Sequence, residues 1–226
     1  MKNPKDKAII IFARLPVEGR VKTRLAKEIG DKNAAEFYRV CAEHLFLEVL
    51  KLKKQSIDLF LFYSDKNQAD QIKKWAGDGF YFYSQTGNCL GGRMLDAFQL
   101  VFNKGYNKTI IVGTDVPDIN SQLLFNAFDE LDKNDFVIGP SQDGGYYLLG
   151  MKSLEPELFI GIEWGTEKVF NDTLEKLNGK NISAKIMKKL TDIDTKEDLV
   201  QWYHQAGNNF DHPVKIFVES IKKSFD

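Results

Sequence analysis

The sequence contains little of what disulfide frameworks, zinc sites and membrane spans require. Its 226 residues include only two cysteines and three histidines. Cys41 and Cys89 form no C-x-x-C pair, so we expect neither a disulfide framework nor a zinc site. No apolar run approaches the ~20 residues of a membrane span, and the apolar segment Ala8–Ala13 is too short for a secretory signal. We therefore expect a cytoplasmic protein without a membrane span.

The sequence also lacks an excess of charge of either sign. Lysine and arginine total 31 and aspartate and glutamate 32, which gives a formal net charge of −1. This balance gives no indication of a nucleic-acid partner, and we expect none. The length is sufficient for a substantial core, so we expect one domain over residues 1–226, with 207–226 as a C-terminal helical extension.

Strand and helix patterns alternate along the chain, which predicts an α/β fold: a three-layer α/β/α sandwich with a mostly parallel sheet. The predicted strands are Ala8–Phe12, Ile57–Tyr63, Phe80–Tyr83, Thr109–Val112, Phe136–Gly139, Tyr146–Gly150 and Ala184–Lys188. The predicted helices are Ala34–Leu52, Asn67–Ala76 (with Asp65 as a cap), Gly92–Asn103, Ser121–Leu131, Thr166–Leu177 and Thr195–Tyr203.

The segment Pro213–Phe225 carries apolar residues at helical spacing, namely Val214, Phe217, Val218 and Ile221. Such a stripe favours a helix that docks on its own domain. A contact in a homodimer is the alternative. A membrane-surface role is less favoured, because acidic residues offset the lysines of this segment.

Two carboxylates follow the fourth predicted strand. Thr109–Val112 leads into a turn that carries Asp115 and Asp118, and in open α/β sheets ligands bind beyond the carboxyl ends of strands. Mg²⁺ prefers one or two carboxylates together with substrate phosphates. The turn therefore predicts a metal and phosphate site, with a helix-capping role for Asp115 as the alternative.

Basic residues crowd the loop after the first strand, where Arg14, Arg20, Lys22 and Arg24 lie close together in the sequence. A basic loop that runs into a helix, with Thr23 as its cap, predicts a phosphate site. A solvated loop is the alternative. The loop is not a P-loop, because Pro16 and Val21 stand where that motif requires glycines.

Three further polar segments follow predicted strands. Gln85–Met94 contains three glycines and Arg93, which suits close approach of the backbone to a ligand. Asp143 precedes Gly144 and Gly145, in a turn that suits either a functional carboxylate or an ordinary hairpin. Trp164 and Thr166 offer an aromatic face and a polar helix start.

A late acidic pair, Asp192 and Asp194, lies two residues apart, so both side chains point the same way if the backbone is extended. These acids are candidates for a functional cluster. The alternative is that they start a helix, because Thr195 and Asp198 have the spacing of a variant capping box.

Together these segments resemble a bacterial family of nucleotide-diphospho-sugar transferases with the GT-A-type glycosyltransferase fold. The matching pieces are FARLPVEGRVKTRL, QTGNCLGGRM, GTDVPD, DGGYYLLG with the later WGT, and DIDTKEDL. They span about residues 8–200. More distantly, three of them are similar to guanylyltransferases of molybdenum-cofactor and phospholactate metabolism, although the molybdenum-cofactor G-x-x-x-R-M-G loop is absent.

The resemblance implies roles for individual residues. It assigns Asp115, Asp192 and Asp194 to the metal, and Lys22 and Arg24 to the phosphates. The other candidates for nucleotide or phosphate binding are Ala13, Arg14, Gly19, Gln85 and Arg93, with base selection by backbone groups around Ala13 and Gln85. The candidates for donor or acceptor contact are Asp118, Gly144, Gly145, Trp164 and Thr166.

The expected activity is a metal-dependent transfer from a nucleotide-activated donor to a small-molecule acceptor. The resemblance favours glycosyl transfer from a nucleoside-diphosphate sugar, with Mg²⁺ or Mn²⁺ as cofactor and Asp143 and Asp115 as catalytic candidates. Sugar transferases of this type use a D-x-D motif, and Pro117 stands at the position of its second acid. Nucleotidyl transfer with release of pyrophosphate and a non-catalytic nucleotide-binding module are therefore the alternatives.

Overall fold

The computed structural model describes residues 6–207 and 211–222. The strands are β1 Lys7–Ala13, β2 Ile57–Tyr63, β3 Tyr81–Ser84, β4 Lys108–Val112, β5 Phe136–Pro140, β6 Tyr146–Met151 and β7 Ala184–Ile186. The α-helices are α1 Thr23–Ile29, α2 Asp31–Lys51, α3 Ala69–Ala76, α4 Leu90–Phe102, α5 Ser121–Lys133, α6 Val169–Gly179, α7 Lys196–Gln205 and α8 Pro213–Ile221. Short 3₁₀ helices lie at Leu52–Gln55, Lys66–Gln68 and Pro156–Phe159.

The strands form one mostly parallel sheet in the order β3-β2-β1-β4-β6-β5-β7. Only β6 runs antiparallel, against both β4 and β5. Consequently β1, β3, β4 and β5 all end at one edge of the sheet, which we call the carboxyl edge, and β6 begins there. The loops that carry the candidate residues are thereby brought to the same place.

Helices cover both faces of the sheet, because its central strands are apolar on both sides. Successive residues of β1 alternate between two cores: Ile9 packs with residues of α2 and α5, whereas Ile10 packs with residues of α4. Both side chains are fully buried. The predicted three-layer α/β/α architecture is therefore confirmed.

A third apolar cluster joins α1, α2, α7 and α8 and includes the fully buried Trp202. Val214 and Val218 of α8 are buried in it, as expected for a helix that docks on its own chain. Residues 223–225, the end of the predicted tail helix, lie outside the described residues. The prediction of a single domain with an extension from residue 207 stays a prediction.

Several local predictions were wrong. Helix α1 was expected after the basic loop without bounds, but its cap position is held by Lys22, without a side-chain hydrogen bond, rather than by Thr23. Asp65 holds the N-cap position of the 3₁₀ helix Lys66–Gln68 but makes no side-chain capping hydrogen bond; its carboxylate instead accepts one from the backbone of Leu15 at 3.2 Å. Thr166 lies before α6, which begins at Val169.

None of the helices in the described ranges combines the length and the apolar character that a membrane crossing requires.

Candidate functional site

A cleft of about 780 Å³ opens at the carboxyl edge of the sheet. Its size falls in the range of pockets that bind ligands of the size of a nucleotide. Predicted site residues that line the cleft are Ala13, Arg14, Lys22, Arg24, Gln85, Arg93, Asp115, Asp143, Gly145, Trp164, Thr166, Asp192 and Asp194. Gly19, Asp118 and Gly144 are not among its lining residues.

The basic loop reaches the cleft through an unusual backbone conformation at Lys22. Its φ of 46° and ψ of 46° lie in the left-handed region, which residues other than glycine seldom adopt. The neighbouring Val21 is buried, so the loop is anchored on the core. The loop therefore carries the Lys22 side chain inward, while Arg24 stays on the surface with 74% of its side chain exposed.

Three carboxylates from two separate motifs surround the Lys22 ammonium. Nζ lies 3.4 Å from Oδ1 of Asp115, 3.2 Å from Oδ1 of Asp192 and 2.9 Å from Oδ1 of Asp194. The two motifs also meet through the backbone, because the Ile193 amide donates to the Asp115 carbonyl at 3.3 Å. We call Asp115, Asp192 and Asp194 the acidic triad.

The charges of this cluster shift each other's pKa values. Burial opposes the charged form of Lys22, but Asp115, Asp192 and Asp194 outweigh it and raise the pKa of Lys22 above its usual range. Burial raises the pKa of Asp192 to about 7; Lys22 opposes this shift, and the other two acids of the triad with Asp143 add to it. One positive charge therefore does not neutralise the three carboxylates.

The residue types of the acidic triad fit a divalent cation. Carboxylate oxygens are the ligands that Mg²⁺ and Mn²⁺ prefer. Oδ1 of Asp115 is buried and accepts no hydrogen bond, although a buried polar atom normally has a partner. Among residues 6–207 and 211–222, however, no three acidic, histidine or cysteine side chains stand ready to hold a metal ion. The Lys22 ammonium lies between the carboxylates that would have to converge.

Tyr38 of α2 holds the basic loop and the acidic turn together. Its hydroxyl accepts a hydrogen bond from the backbone N–H of Arg14 at 3.0 Å and one from the Thr114 hydroxyl at 2.9 Å. Burial raises its pKa to about 12, with a smaller contribution from Asp115, so the hydroxyl stays neutral. The sequence does not reveal this role, because Tyr38 is only one of several residues on the buried face of a long helix.

The acidic turn is fixed from behind by α7. The indole N–H of Trp202 donates to Oδ1 of Asp118 at 3.0 Å, and the Trp202 ring is fully buried. Asp118 therefore helps to position the turn, and its placement does not support the predicted contact with donor or acceptor. Thr195 and Asp198 form the capping box of α7, so the helix that follows the acidic pair starts as expected.

Asp143 lies on the turn between β5 and β6. Its Oδ1 accepts hydrogen bonds from the backbone N–H of Gly145, at 3.1 Å, and from the Ser141 hydroxyl. Gly144 has a φ of 86°, and a Cβ there would lie 2.1 Å from the carbonyl oxygen of Glu167. The turn therefore requires glycine, and it presents Asp143 to the cleft in a defined orientation.

An aromatic wall of Trp164, Phe159 and Tyr146 adjoins the cleft. Trp164 stacks on Phe159 with ring centroids 6.3 Å apart, and Tyr146 meets the indole edge-on. The indole approaches α4 so closely that a Cβ on Gly91 would lie 2.2 Å from its Nε1. One glycine of the Gln85–Met94 segment thus serves packing of the wall.

Gln85 and Arg93 flank the cleft on the side of β3. The Gln85 amide donates to the carbonyl of Phe62 at 3.0 Å, which fixes the orientation of its side chain. Among the described residues, the Arg93 guanidinium makes only a long hydrogen bond, 3.5 Å, to the carbonyl of Gly87. The polar ends of these side chains add donors and acceptors to a cleft whose other side is strongly acidic.

Comparison with known proteins supports the assignment of the fold. A family model described as "Uncharacterized protein conserved in bacteria" (DUF2064) matches residues 49–166, more than half of the chain. A search of proteins with curated functions finds no match. A crystal structure from Desulfovibrio desulfuricans G20, described as a "putative nucleotide-diphospho-sugar transferase", is 31% identical with a TM-score of 0.90. The alignment covers 97% of this chain and 98% of that one.

More distant structures share only the fold. The 4-diphosphocytidyl-2C-methyl-D-erythritol synthase of Anaerococcus prevotii DSM 20548 is 15% identical, with a TM-score of 0.59 over 90% of this chain and 100% of that one. A protein of Mycobacterium tuberculosis H37Rv, solved in complex with manganese, is 12% identical, with a TM-score of 0.52 over 88% and 98%. The chain therefore belongs to the DUF2064 family of bacterial proteins, and it has the α/β fold of a nucleotide-diphospho-sugar transferase.

Proposed function

We propose that this protein is a transferase that uses a nucleotide-activated donor with Mg²⁺ or Mn²⁺ in the cleft at the carboxyl edge. The observation that carries the proposal is the convergence of the basic loop and the acidic triad at one point, with Lys22 Nζ within 3.4 Å of all three carboxylates. The description of the 31%-identical relative supports the same class of substrate.

Each group of the cluster has a role in binding a diphosphate. Asp115, Asp192 and Asp194 are the carboxylates that would hold the cation. A divalent cation supplies positive charge where negative charge develops on the leaving group. Arg24 is exposed next to Asp194, 3.6 Å away, and with Lys22 it contacts the phosphates from the basic loop.

The transfer that we favour moves a glycosyl group from a nucleoside-diphosphate sugar to a small-molecule acceptor. Asp143 lies in the same cleft, and its Oδ2 accepts no hydrogen bond from a described residue, which leaves it free to accept a proton from an acceptor hydroxyl. Trp164 offers an aromatic face to the apolar side of a sugar ring.

Nucleotidyl transfer is the second candidate, and the composition of the acidic triad favours it. Pro117 occupies the place of the second acid of a D-x-D motif, so the partners of Asp115 come from the late pair Asp192 and Asp194 instead. In this reaction an acceptor phosphate or carboxylate would attack the α-phosphate of a nucleoside triphosphate.

Product analysis separates these activities. Purified protein is incubated with Mn²⁺ and a panel of nucleoside-diphosphate sugars or nucleoside triphosphates, each with candidate sugar, phosphate and carboxylate acceptors. Release of a nucleoside diphosphate supports glycosyl transfer, whereas release of pyrophosphate supports nucleotidyl transfer. Binding without turnover of any donor would indicate a non-catalytic nucleotide-binding module, and Asp115→Asn is the control for turnover by contaminants.

A further inference from the structure

Lys22 is placed where a bound cation would be expected. Only 4% of its side chain is exposed, and its ammonium is surrounded by carboxylates that belong to two motifs far apart in the sequence. Its backbone adopts the left-handed conformation that brings the side chain inward. Residues held in sparsely populated backbone conformations cluster at active sites and ligand clamps.

The ammonium and a divalent ion cannot both occupy the centre of the acidic triad. The carboxylate oxygens lie 2.9 to 3.4 Å from Nζ, which is the spacing of ion pairs with an ammonium. Mg²⁺ requires oxygen ligands at roughly 2.0–2.1 Å. The three oxygens would have to close in by about 1 Å, onto the point that Nζ now occupies.

This inference rests on the proposed function, in which the acidic triad holds a divalent cation. We infer that Lys22 is an internal cation: its ammonium neutralises part of the acidic triad in the ligand-free protein and leaves when the divalent cation enters. The flexible four-carbon stem of lysine permits such a movement, which a planar, rigid guanidinium would resist. Once displaced, the same ammonium is available to the phosphates of the donor.

An exchange of Lys22 with the cation and a purely structural role of Lys22 predict opposite effects on the binding of a divalent cation. If Lys22 competes for the acidic triad, its removal should tighten the binding of a divalent cation in the absence of nucleotide. If Lys22 only holds the acids in place, its removal should weaken that binding.

Isothermal titration of the nucleotide-free protein with Mn²⁺ distinguishes these cases. Lys22→Met removes the charge and keeps an unbranched stem, and Lys22→Gln is a second neutral variant in case the first does not fold. We expect the dissociation constant of Mn²⁺ to fall at least tenfold in either variant. Lys108→Met is the matched control: it removes a lysine that pairs with Asp6 and Asp132 outside the cleft, so we expect a change of less than twofold.

A second measurement follows the side chain directly. In crystal structures with and without Mn²⁺, Nζ of Lys22 should lie within the acidic triad only in the metal-free form. Melting temperatures of all variants establish that folded proteins are compared.

The outcomes separate this inference from the proposed function. If wild type binds Mn²⁺ and the neutral Lys22 variants bind it equally or more weakly, the exchange is overturned while the metal site stands. If the neutral Lys22 variants bind Mn²⁺ and the wild type does not, the result supports the exchange. If no folded variant binds Mn²⁺, with or without nucleotide, the exchange and the proposed metal dependence are both wrong.

Discussion

Two lysines bridge carboxylates at opposite edges of the same sheet, and their surroundings differ. At the edge where β1 and β4 begin, which we call the amino edge, Lys108 pairs with Asp132 at 2.5 Å and Asp6 at 3.5 Å. Its two partners are about half exposed, and the lysine begins the regular strand β4. At the carboxyl edge, Lys22 is more deeply buried, meets three acids, and requires a left-handed backbone.

The difference indicates which cluster serves function. The Lys108 cluster follows ordinary rules for surface ion pairs, which contribute roughly 0–1 kcal/mol each. The Lys22 cluster departs from them in three ways: an excess of negative charge, a buried carboxylate oxygen without a hydrogen bond, and a strained backbone. Local rules are typically broken in this way where a protein binds a ligand.

The largest difference between the two edges should appear when one carboxylate is neutralised. We predict that Asp115→Asn weakens Mn²⁺-dependent binding of a nucleoside diphosphate at least 100-fold, because it removes a charged ligand from the proposed cation site. Asp132→Asn should leave this binding unchanged. Titration calorimetry measures both, and equal losses in the two variants would contradict the contrast.

Removal of one basic side chain should have a somewhat smaller effect. A charge-assisted contact to a phosphate is worth roughly 1.5–3 kcal/mol, so Arg24→Met, which removes one such contact, should lose about 10- to 100-fold in nucleotide affinity. Lys108→Met should bind nucleotide as wild type does and lose at most about 1 kcal/mol of stability. A loss of nucleotide affinity in Lys108→Met would indicate that affinity depends on the overall charge of the protein rather than on contacts with the phosphates.

Two buried tyrosine hydroxyls extend the comparison. Tyr38→Phe leaves the Arg14 amide and the Thr114 hydroxyl without their partner, so we expect a loss of roughly 1–3 kcal/mol in unfolding free energy together with weaker nucleotide binding. At the amino edge, Tyr106 donates to Asp58. Tyr106→Phe should lose stability without losing nucleotide affinity. Denaturant unfolding and calorimetry of both variants test this distinction.

The smallest effect concerns two histidines behind the acidic turn. The rings of His44 and His212 lie 4.5 Å apart; burial, then the charge of His212, lowers the pKa of His44 to about 4. His44 takes up a proton near pH 6.5 in the unfolded chain but only near pH 4 in the folded one. The free energy of unfolding should therefore have its full value above pH 6.5 and fall between pH 6.5 and 4. We expect His44 to contribute roughly 1–2 kcal/mol to the fall, after allowance for partial exposure.

Denaturant unfolding from pH 7.5 to 4 measures this dependence. His44→Gln should flatten it, whereas replacement of the exposed His204 by Gln should leave it unchanged. An equally steep acid loss in His44→Gln would show that other groups are responsible.

The regular elements could be predicted because each central strand is a continuous apolar run and each long helix has clear periodicity. Ile57–Tyr63 was predicted to the residue. The bounds of helix α1 could not be predicted because seven residues are too few to show a period. The turns of Asp115 and Asp143 were found from carboxylates that follow strands, and their convergence with Lys22 follows from the shared edge of a parallel sheet.

What the sequence could not show are contacts made across the fold. The hydroxyl of Tyr38 reaches two loops that lie 24 and 76 residues away in the chain. The side chain of Lys22 points inward because its backbone is left-handed. No glycine stands at that position to indicate such a conformation in the sequence. Asp118, a predicted site residue, accepts a hydrogen bond from Trp202, a partner in a helix that begins 78 residues later.

The central claim is that the cleft at the carboxyl edge binds a nucleoside diphosphate through a divalent cation. The most direct test is a thermal-shift titration of the wild type and Asp115→Asn with nucleoside diphosphates, with and without Mn²⁺. A ligand at 100 times its dissociation constant stabilises a protein by roughly 2.7 kcal/mol, which is readily seen. The account predicts a Mn²⁺-dependent shift in the wild type that is lost in Asp115→Asn. The absence of a shift with every base, or an equal shift in both proteins, would contradict it.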